Sequence, residues 1–162
     1  MLKAFKYRLY PTKRQAQIMS CFFGCTRYVY NWGLEKRSTS YTQLNKRLSC
    51  FDLQKELPSL KKELPWLAEA HSQILQQALR NLDNAFHNFF KKKAKFPSFK
   101  SKHSRQSCQF PQSVKVDFKN NRIYIPKVGE VRAFLSRQFA GKTKTCFLSR
   151  TTTGKYYMSI LV

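Results

Sequence analysis

Acidic residues are scarce in this sequence, and their scarcity limits the chemistry that the protein can perform. Eight Asp and Glu stand against 31 Lys and Arg, which gives a formal net charge of +23 at pH 7. No acid lies between Asp83 and Asp117, and none follows Glu130. A metal-dependent nuclease needs several converging carboxylates, so this composition argues against an enzyme of that class. The uncompensated positive charge instead favours a polyanionic partner such as nucleic acid.

The cysteines are too few and too scattered for a disulfide framework or a zinc site. They stand at positions 21, 25, 50, 108 and 146, an odd number without a C-x-x-C pair. Cys21 and Cys25 are one helical turn apart, but packing in a core is favoured over metal binding because no second ligand pair accompanies them. His71, His87 and His103 likewise lack a Ser, Cys or carboxylate partner at a telling spacing. The sequence therefore predicts no metal and no cofactor.

Long hydrophobic runs are also missing. The first residues, MLKAFKYRLY, contain no apolar stretch long enough for a signal peptide or a membrane span. A membrane surface is a weaker alternative partner, because no helical pattern combines a Lys/Arg face with a Trp/Leu face. With 42% hydrophobic and 15% aromatic residues the chain should nevertheless fold, as one domain or two small ones. We expect a reduced, cytoplasmic protein without a membrane partner.

The stretch from Trp66 to Phe90 has the pattern of a long amphipathic helix. Apolar residues recur at intervals of three and four and predict one buried stripe: Leu67, Ala70, Ile74, Ala78, Leu82, Ala85 and Phe89. The opposite face, called here the amide face, is rich in carboxamides and carries Glu69, Gln73, Gln76, Gln77, Arg80, Asn84 and His87. Carboxamides can hydrogen-bond base edges, and Gln76 could pair with adenine. The alternative is an ordinary solvated helix face.

A basic tract, defined here as residues 91–105, follows that helix without a break. Its cations are the predicted phosphate contacts: Lys91, Lys92, Lys93, Lys95, Lys100, Lys102 and Arg105. The alternative is a charge run that serves only solubility. Phe96 and Phe99 lie between the lysines and could stack on bases or dock onto the rest of the protein. Amides for bases beside cations for phosphates are the division of labour expected in nucleic-acid recognition.

The N-terminal part of the sequence predicts a strand and two helices. Residues 3–10 alternate between apolar and basic side chains, which is typical of a half-buried strand. Thr12 and Gln15 form a capping-box pattern that starts a helix reaching about Arg37. A polar loop follows, and Ser49 with Asp52 predicts a second helix start. That helix contains Pro58 as a local flaw.

After the basic tract the pattern changes from helical to alternating. Residues 106–110 are ambiguous, and the predicted strands are 114–118, 122–126, 128–135, 144–150 and 155–162. Asn120 and Asn121 predict a tight hairpin turn between the first two of them.

Strands at both ends and helices between them predict an α+β protein, a small antiparallel β-barrel with an inserted α-helical domain. The barrel would comprise residues 1–10 and 106–162, and the inserted helical domain would comprise residues 11–105, including the basic tract. The sequence ends on an apolar strand at residues 159–162, from which we expect the front half of a longer protein.

Six segments of the sequence together resemble a known family. They are KAFKYRLYPTKRQ, FGCTRYVYNWGL, WLAEAHSQILQQALRNLDNAFHNFF, KFPSFKSKHSRQS, RIYIPKVGEV and GKYYMSILV. In this order they are similar to the N-terminal half of TnpB (OrfB), a transposon-encoded protein of bacterial insertion sequences that is related to type V CRISPR effectors. The resemblance covers essentially the whole chain.

The resemblance implies a wedge-type, OB-like β-barrel interrupted by a helix-turn-helix-like α-helical recognition domain. For the whole family protein it implies an RNA-guided DNA endonuclease activity. The helical domain and barrel would hold a guide RNA scaffold and read a short DNA motif beside the target. The residues at the matching motif-reading positions are Gln54, Ser72, Gln73, Gln76 and Gln112, with Cys50 and Pro111 beside them. Cys50 and Ser72 are small where similar proteins carry aromatic or cationic residues. The implied partners are DNA and the guide RNA of the element, in a bacterial cytoplasm and nucleoid.

The family's RuvC-like cleavage domain and its inserted zinc ribbon have no counterpart in this sequence. The three carboxylates that hold two metal ions in that domain are therefore unmatched, and we expect a catalytically incomplete chain rather than an enzyme. A separately encoded nuclease half is a further candidate partner. Three alternatives stay open: a plain helix-turn-helix DNA-binding transposase module without RNA, a decayed insertion-sequence remnant, and an active nuclease.

Overall fold

One antiparallel sheet and three α-helices make up the protein, in a computed structural model that describes all 162 residues. The helices are α1 (Lys13–Leu44), α2 (Cys50–Glu63) and α3 (Ser72–Phe90), with a short 3-10 helix at Pro65–Glu69. The strands are β1 (Ala4–Tyr10), β2 (Gln106–Phe110), β3 (Lys115–Asp117), β4 (Arg122–Ile125), β5 (Gly129–Phe134), β6 (Cys146–Arg150) and β7 (Tyr156–Leu161). The predicted α+β class is confirmed.

The chain divides into two compact units. The first, called here the sheet unit, comprises Met1–Phe23 and Lys102–Val162. The second, the helical unit, comprises Gly24–Ser101. No helix of the protein is both long and apolar enough to cross a membrane.

The sheet has the strand order β2-β6-β7-β1-β5-β4-β3, and every neighbouring pair is antiparallel. The N-terminal strand β1 lies in the middle, because it pairs with β7 on one side and β5 on the other. Strands β2 and β3 form the two edges and do not pair with each other. The sheet is therefore open, and the closed barrel that the sequence predicts is not confirmed. With only three residues, β3 offers little edge for further pairing.

The inner face of the sheet packs against the first turns of α1. Tyr7 and Leu9 are buried on that face, as the alternation in residues 3–10 predicts. The Phe22 ring of α1 lies 6.1 Å from the Phe110 ring of β2, centroid to centroid. At the start of α1, Thr12 and Gln15 exchange the two hydrogen bonds of the predicted capping box, at 2.9 and 3.2 Å. The amide of Gln15 also donates to a carbonyl of β5, which ties the helix start to the sheet.

The hairpin predicted around the two asparagines is present, but its turn is longer than expected. Asp117 pairs with Arg122, so four residues rather than two connect β3 to β4. The Asp117 carboxylate accepts hydrogen bonds from the backbone N–H and the side-chain amide of Asn120. Asn121 has φ 53°, a left-handed conformation that asparagine tolerates better than most residues. The local side-chain bonds stabilise this wider turn.

In the helical unit the predicted helices are present with different boundaries. Helix α1 continues to Leu44, past the expected end near Arg37. Helix α2 starts with a complete capping box between Ser49 and Asp52 and accommodates Pro58 within it. The hydrogen bonds from Ser49 lower the pKa of the Asp52 carboxyl.

The helix that the sequence predicts from Trp66 onward in fact begins at Ser72. The residues before it form the 3-10 helix and then an extended residue, Ala70, with ψ 152°. A 3-10 helix has three residues per turn, so Leu67 and Ala70 fall on one side and are both buried. Within α3 the buried stripe includes Leu75, Leu79 and Phe86 in addition to the predicted positions. Ala85 and Phe89, which the prediction placed in the stripe, are only half-buried.

Candidate nucleic-acid interface

The amide face lies along the solvent side of α3. Gln76, Arg80, Asn84 and His87 are exposed there. Ser72 is exposed and Gln73 is half-buried at the N-terminal end of the helix, where the Gln73 side chain lies 3.3 Å from a ring nitrogen of His71. The side chains of Ser72, Gln73 and Gln76 therefore occupy the first two turns of one helix. Such a row can present hydrogen-bonding groups to base edges in a groove.

Gln54 of α2 joins this group. Its amide nitrogen donates to the backbone carbonyl of Gln76 at 3.1 Å, so the two predicted motif-reading residues are brought together. That bond leaves the Gln54 carbonyl oxygen and one N–H for a ligand. Cys50, which the resemblance places beside them, is 6% exposed and lies inside the helical unit. Its burial raises the pKa of the thiol, which suits a packing role better than contact with a base.

Close packing of α1 fixes the position of α3. A side chain at Gly33 would meet Cδ2 of Leu79 at 2.8 Å and Cδ2 of Leu82 at 2.9 Å, so only glycine permits this approach. One turn further along α1, Arg37 is nearly buried and its Nη1 donates to Asp83 Oδ1 at 2.7 Å. The Arg37 guanidinium also lies 4.4 Å from the centroid of the Phe86 ring. These contacts connect α1 to α3, and removing Asp83 would leave the nearly buried Arg37 charge without its partner.

The first lysines of the basic tract form the C-terminal cap of α3. Lys92 has φ 61° and its N–H donates to the carbonyl of Phe89, while the N–H of Lys93 donates to the carbonyl of Asn88. These two bonds are the Schellman motif, in which the left-handed residue is usually glycine. The cap holds Lys91, Lys92 and Lys93 in fixed positions with their side chains exposed.

Aromatic packing holds the next part of the tract. The Phe96 ring contacts Phe86 and Phe89 edge-on, at centroid distances of 5.3 and 5.1 Å. Phe96 thus docks on α3, and the stacking alternative is weakened for this residue. Phe99 remains 62% exposed and is available to a ligand. The aromatic cluster extends to Phe90, which the Arg47 guanidinium covers at 4.1 Å.

Asn31 of α1 fixes the far end of the tract within the helical unit. Its amide nitrogen donates to the Lys100 carbonyl at 3.0 Å, and its amide oxygen accepts from the Lys100 N–H at 2.8 Å. The Lys100 ammonium lies 4.6 Å from the centroid of the Tyr30 ring. The sequence pattern did not reveal Asn31, because a single asparagine in a helix carries no signal of a partner 69 residues away.

The last two cations of the tract belong to the sheet unit. Arg105 is exposed just before β2. Lys102 lines a polar cleft of about 450 Å³ together with His103, Arg150, Thr151 and other residues of the β6–β7 connection. Cations and hydroxyls around one small cleft are suited to a phosphate group. Sequence reasoning missed Arg150, since β6 lies far from the tract in the chain.

Gln112 also lies in the sheet unit, in the exposed connection between β2 and β3. Pro111 beside it is half-buried. The Gln112 side chain is accessible to a ligand, but Gln112 belongs to a different unit from the other four predicted motif-reading residues.

Several carboxylates make ion pairs or local hydrogen bonds, and most of the thiols are buried. The Glu56 carboxylate pairs with the Lys36 ammonium at 3.0 Å, and Asp83 pairs with Arg37 as described above. Asp52 caps the start of α2, and Asp117 accepts hydrogen bonds within the β3–β4 turn. No group of three or more His, Cys, Asp and Glu side chains is arranged to hold a metal ion. All five cysteines are free thiols. Burial raises the pKa of Cys146 to about 12 and also raises that of Cys108, so both act as small apolar groups.

Comparison with known proteins identifies the family. The chain is 38% identical over 161 residues to InsQ of Escherichia coli K12, which is named as an RNA-guided DNA endonuclease, and this match covers 98% of the chain. It is also 38% identical over 116 residues to the virulence protein VsdF of Salmonella dublin, covering 65% of this chain and 98% of VsdF. The chain belongs to the TnpB (OrfB) family.

A second family member bears the same kind of name. A protein of Streptomyces pristinaespiralis, also named as an RNA-guided DNA endonuclease, is 38% identical over 165 residues, or 98% of this chain. The chain spans 40% of the length of InsQ and 41% of the length of the Streptomyces protein.

A helix-turn-helix domain named for OrfB of IS605 matches residues 1–47. Over these residues the structure contains β1 and the single unbroken helix α1. A connection between two helices follows only at residues 45–49, where α1 ends and α2 begins. The matched residues therefore contain one helix rather than two.

Proposed function

We propose that this chain is the nucleic-acid-binding part of a TnpB-type transposon protein, which binds a guide RNA and reads a short DNA motif beside the target. The observation that carries the proposal is the amide face of α3, continued by a basic tract that is fixed at its cap and at Asn31. A fixed tract can meet phosphates without first losing conformational entropy, so it binds more tightly than a flexible one.

The proposed roles follow the chemistry of each side chain. Gln54, Ser72, Gln73, Gln76 and Gln112 contact base edges, and exposed Gln76 is suited to paired hydrogen bonds with adenine. The cations contact phosphates and give the affinity a steep dependence on salt. They are Lys91, Lys92, Lys93, Lys95, Lys100, Lys102 and Arg105.

Cleavage chemistry is not part of the proposed role of these residues. A two-metal nuclease needs carboxylates that converge on cations about 4 Å apart. The carboxylates described above instead pair with Arg37 and Lys36 or cap local backbone. We therefore propose that the chain binds nucleic acid without cutting it, and that any nuclease partner supplies the metal site. Incubation of the purified chain with plasmid and Mg²⁺ should leave the DNA intact, and cleavage would overturn this part of the proposal.

The DNA-reading role is tested by selection from a randomised duplex library, followed by affinity measurements on the selected motif. Gln76→Ala should cost about 1–3 kcal/mol and relax the preference at one base position. Gln77→Ala is the matched control, because the Gln77 amide is engaged with Asn81 at 3.0 Å on the same helix. Equal effects of the two substitutions would contradict the assignment of Gln76.

The phosphate role has a different signature. Lys93→Ala should weaken binding to all sequences and lower the slope of log affinity against log salt by about 0.9. Lys62→Ala, an exposed lysine on α2, is the control and should leave the slope unchanged. An unchanged slope for Lys93→Ala would contradict the proposed contact.

A plain DNA-binding module without RNA is the second candidate, and the helix-turn-helix match favours it. The two candidates separate when the chain is co-expressed with the flanking transcript of its element and the co-purified RNA is sequenced. One specific RNA species supports the guide-binding proposal. DNA binding by RNA-free protein, together with no enriched RNA, supports the plain module.

A further inference from the structure

The outer face of the sheet, on the side opposite the packed core, carries cations and aromatic rings around β1. Its members are Lys6, Arg8, Tyr10, Arg132, Phe134 and Tyr157, called here the cation–aromatic face. Four of the six are exposed, and the other two, Arg8 and Tyr157, are half-buried. None of these residues belongs to the amide face or the basic tract.

The register of the strands places these side chains in rows. Arg8 lies directly opposite Tyr157 on one neighbouring strand and Phe134 on the other. Tyr10 is two residues after Arg8 in β1 and therefore lies on the same face, where it is directly opposite Arg132. Directly opposed residues of an antiparallel pair are close enough for their side chains to interact, so each aromatic ring has a cation beside it.

The observed contacts agree with the register. The Arg8 guanidinium lies 5.1 Å from the centroid of Tyr10 and 5.9 Å from that of Tyr157. The Lys6 ammonium lies 4.6 Å from the centroid of Tyr157, and the Arg132 guanidinium 5.7 Å from that of Tyr10. These cation–π contacts hold the charged groups in place over the sheet.

Two features are not explained by those contacts. Phe134 is 63% exposed and Tyr10 is 46% exposed, which is a large aromatic surface to leave in water. The Nε of Arg8 is buried from solvent and has no hydrogen-bond partner. An unpaired donor beneath exposed rings indicates a face that is completed by a ligand rather than by the protein.

The charge of the face restricts the kind of ligand. Its charged members are all cationic, so it complements an anion, and its rings offer flat apolar surfaces. Single-stranded nucleic acid combines both properties, since its phosphates are anionic and its unpaired bases stack on aromatic side chains and on guanidinium planes. A duplex keeps its bases stacked inside and would use only the cations.

We propose that the cation–aromatic face binds an unpaired segment of nucleic acid by stacking bases on Tyr10, Phe134 and Tyr157, while Lys6, Arg8 and Arg132 contact the phosphates. The proposal rests on the proposed function, to which it adds a second surface specific for single strands. It assigns the single-stranded ligand to the sheet unit and leaves the DNA motif to the residues described above.

The test measures the affinity of the full chain for labelled oligo-U and oligo-dT strands of about 12 nucleotides, and for a duplex, by fluorescence anisotropy. Phe134→Ala and Tyr10→Ala should each weaken single-strand binding by about 5- to 150-fold and leave duplex binding unchanged. Phe51→Ala removes an equally exposed ring from α2, 61% accessible, and should have no effect on single strands. The oligo-U and oligo-dT arms show whether the strand is RNA, DNA or either.

Two further variants separate stacking from charge. Phe134→Tyr should retain affinity and Phe134→Leu should lose it, because leucine keeps apolar area but cannot stack. Arg132→Ala should lower the salt slope for single strands by about 0.7, whereas Phe134→Ala should lower affinity at unchanged slope. Thermal unfolding checks that each variant is folded, as expected for exposed positions.

The outcomes distinguish this proposal from the proposed function. If the wild-type chain binds neither strands nor duplex, the proposed function itself fails. If it binds nucleic acid but Phe134→Ala and Phe134→Leu bind single strands as wild type does, only the cation–aromatic face is overturned. Equal losses for single strands and duplex would also overturn it, because they indicate a general electrostatic contact without stacking.

Discussion

Two glycines of α1 should respond differently to the same substitution, with only one of them stabilising the protein. Gly24 and Gly33 both lie inside this helix and both belong to the helical unit. A Cβ at Gly24 would have only the end of the Arg27 side chain within 4 Å, at 3.9 Å. A Cβ at Gly33 would overlap Leu79 and would approach Leu82 and Leu53 at 2.9 and 3.4 Å.

The magnitudes come from two opposing terms. Alanine is favoured over glycine inside a helix by about 0.8–1.0 kcal/mol, and this term applies at both sites. Overpacking a close-packed core costs about 1–3 kcal/mol, and it applies only at Gly33, whose leucine neighbours are fully buried. Gly24→Ala should therefore raise the free energy of unfolding by about 1 kcal/mol. Gly33→Ala has the same favourable helix term but also carries the overpacking cost. Its free energy of unfolding should therefore lie about 1–3 kcal/mol below that of Gly24→Ala.

Urea unfolding followed by tryptophan fluorescence suits this comparison, because Trp32 and Trp66 are the only tryptophans and both lie in the helical unit. The quantity to compare is the midpoint at constant slope, since a changed slope would signal a different denatured state. Equal stabilisation by both substitutions would refute the close approach of α1 to α2 and α3 at Gly33. That approach positions the amide face, so its failure would also weaken the proposed interface.

Three further perturbations test local features of the same unit. Asn31→Ala removes two hydrogen bonds worth about 0.5–1.5 kcal/mol each, so exchange of the Lys100 amide hydrogen should accelerate by roughly 5- to 150-fold. Asn31→Asp keeps the acceptor for that amide and should accelerate the exchange less; unchanged exchange in Asn31→Ala would contradict the contact between Asn31 and Lys100. Lys92→Gly should stabilise the chain by about 1 kcal/mol because φ is 61° there, whereas Lys93→Gly should destabilise it; the same urea titration checks both. In the folded protein the pKa of Asp52 lies below its ordinary value of 3.8, so the carboxylate contributes stability above pH 3.8 and that contribution is lost as pH falls through the folded pKa. Acid titration by circular dichroism should show a smaller loss for Asp52→Asn, and identical profiles would contradict the cap.

Local signals in the sequence predicted local structure well. Both predicted helix starts are present, and each has a capping box, because the signal depends on two residues three positions apart. The alternating pattern of residues 3–10 gave the correct buried side of β1 for the same reason. The prediction ended α1 too early, because the mostly polar residues 38–44 are typical of a loop. The helix in fact continues through them. Intrinsic propensity is a weak guide where neighbouring elements support a helix.

Features that depend on distant pairing were out of reach. The rows of the cation–aromatic face arise from β1 pairing with β5 and β7, strands more than a hundred residues away in the sequence. Lys6 and Arg8 were recognisable as the outer side of a strand, but Phe134 and Tyr157 could not be assigned to them without the strand order. Asn31 and Arg150 were missed in the same way. The open sheet differs from the predicted barrel because closure depends on how the two edge strands meet, which no local pattern encodes.

Several of the few carboxylates of this protein pair with cations or with backbone donors of the protein itself, and the exposed positive charge is left largely uncompensated. Asp83 neutralises Arg37, the one nearly buried cation, and Asp52 and Asp117 satisfy backbone donors at a helix start and a turn. A carboxylate used in this way lowers the free energy of the folded state without screening the exposed lysines of the basic tract. The remaining positive field suits a polyanion, and we expect side-chain geometry to decide which kind binds at each of the two proposed surfaces. Carboxamides on a helix are suited to base edges in a groove, whereas rings on a sheet are suited to bases that have left the stack. The two proposed surfaces should therefore differ in the conformation of nucleic acid that each binds, although both would use the same excess of positive charge.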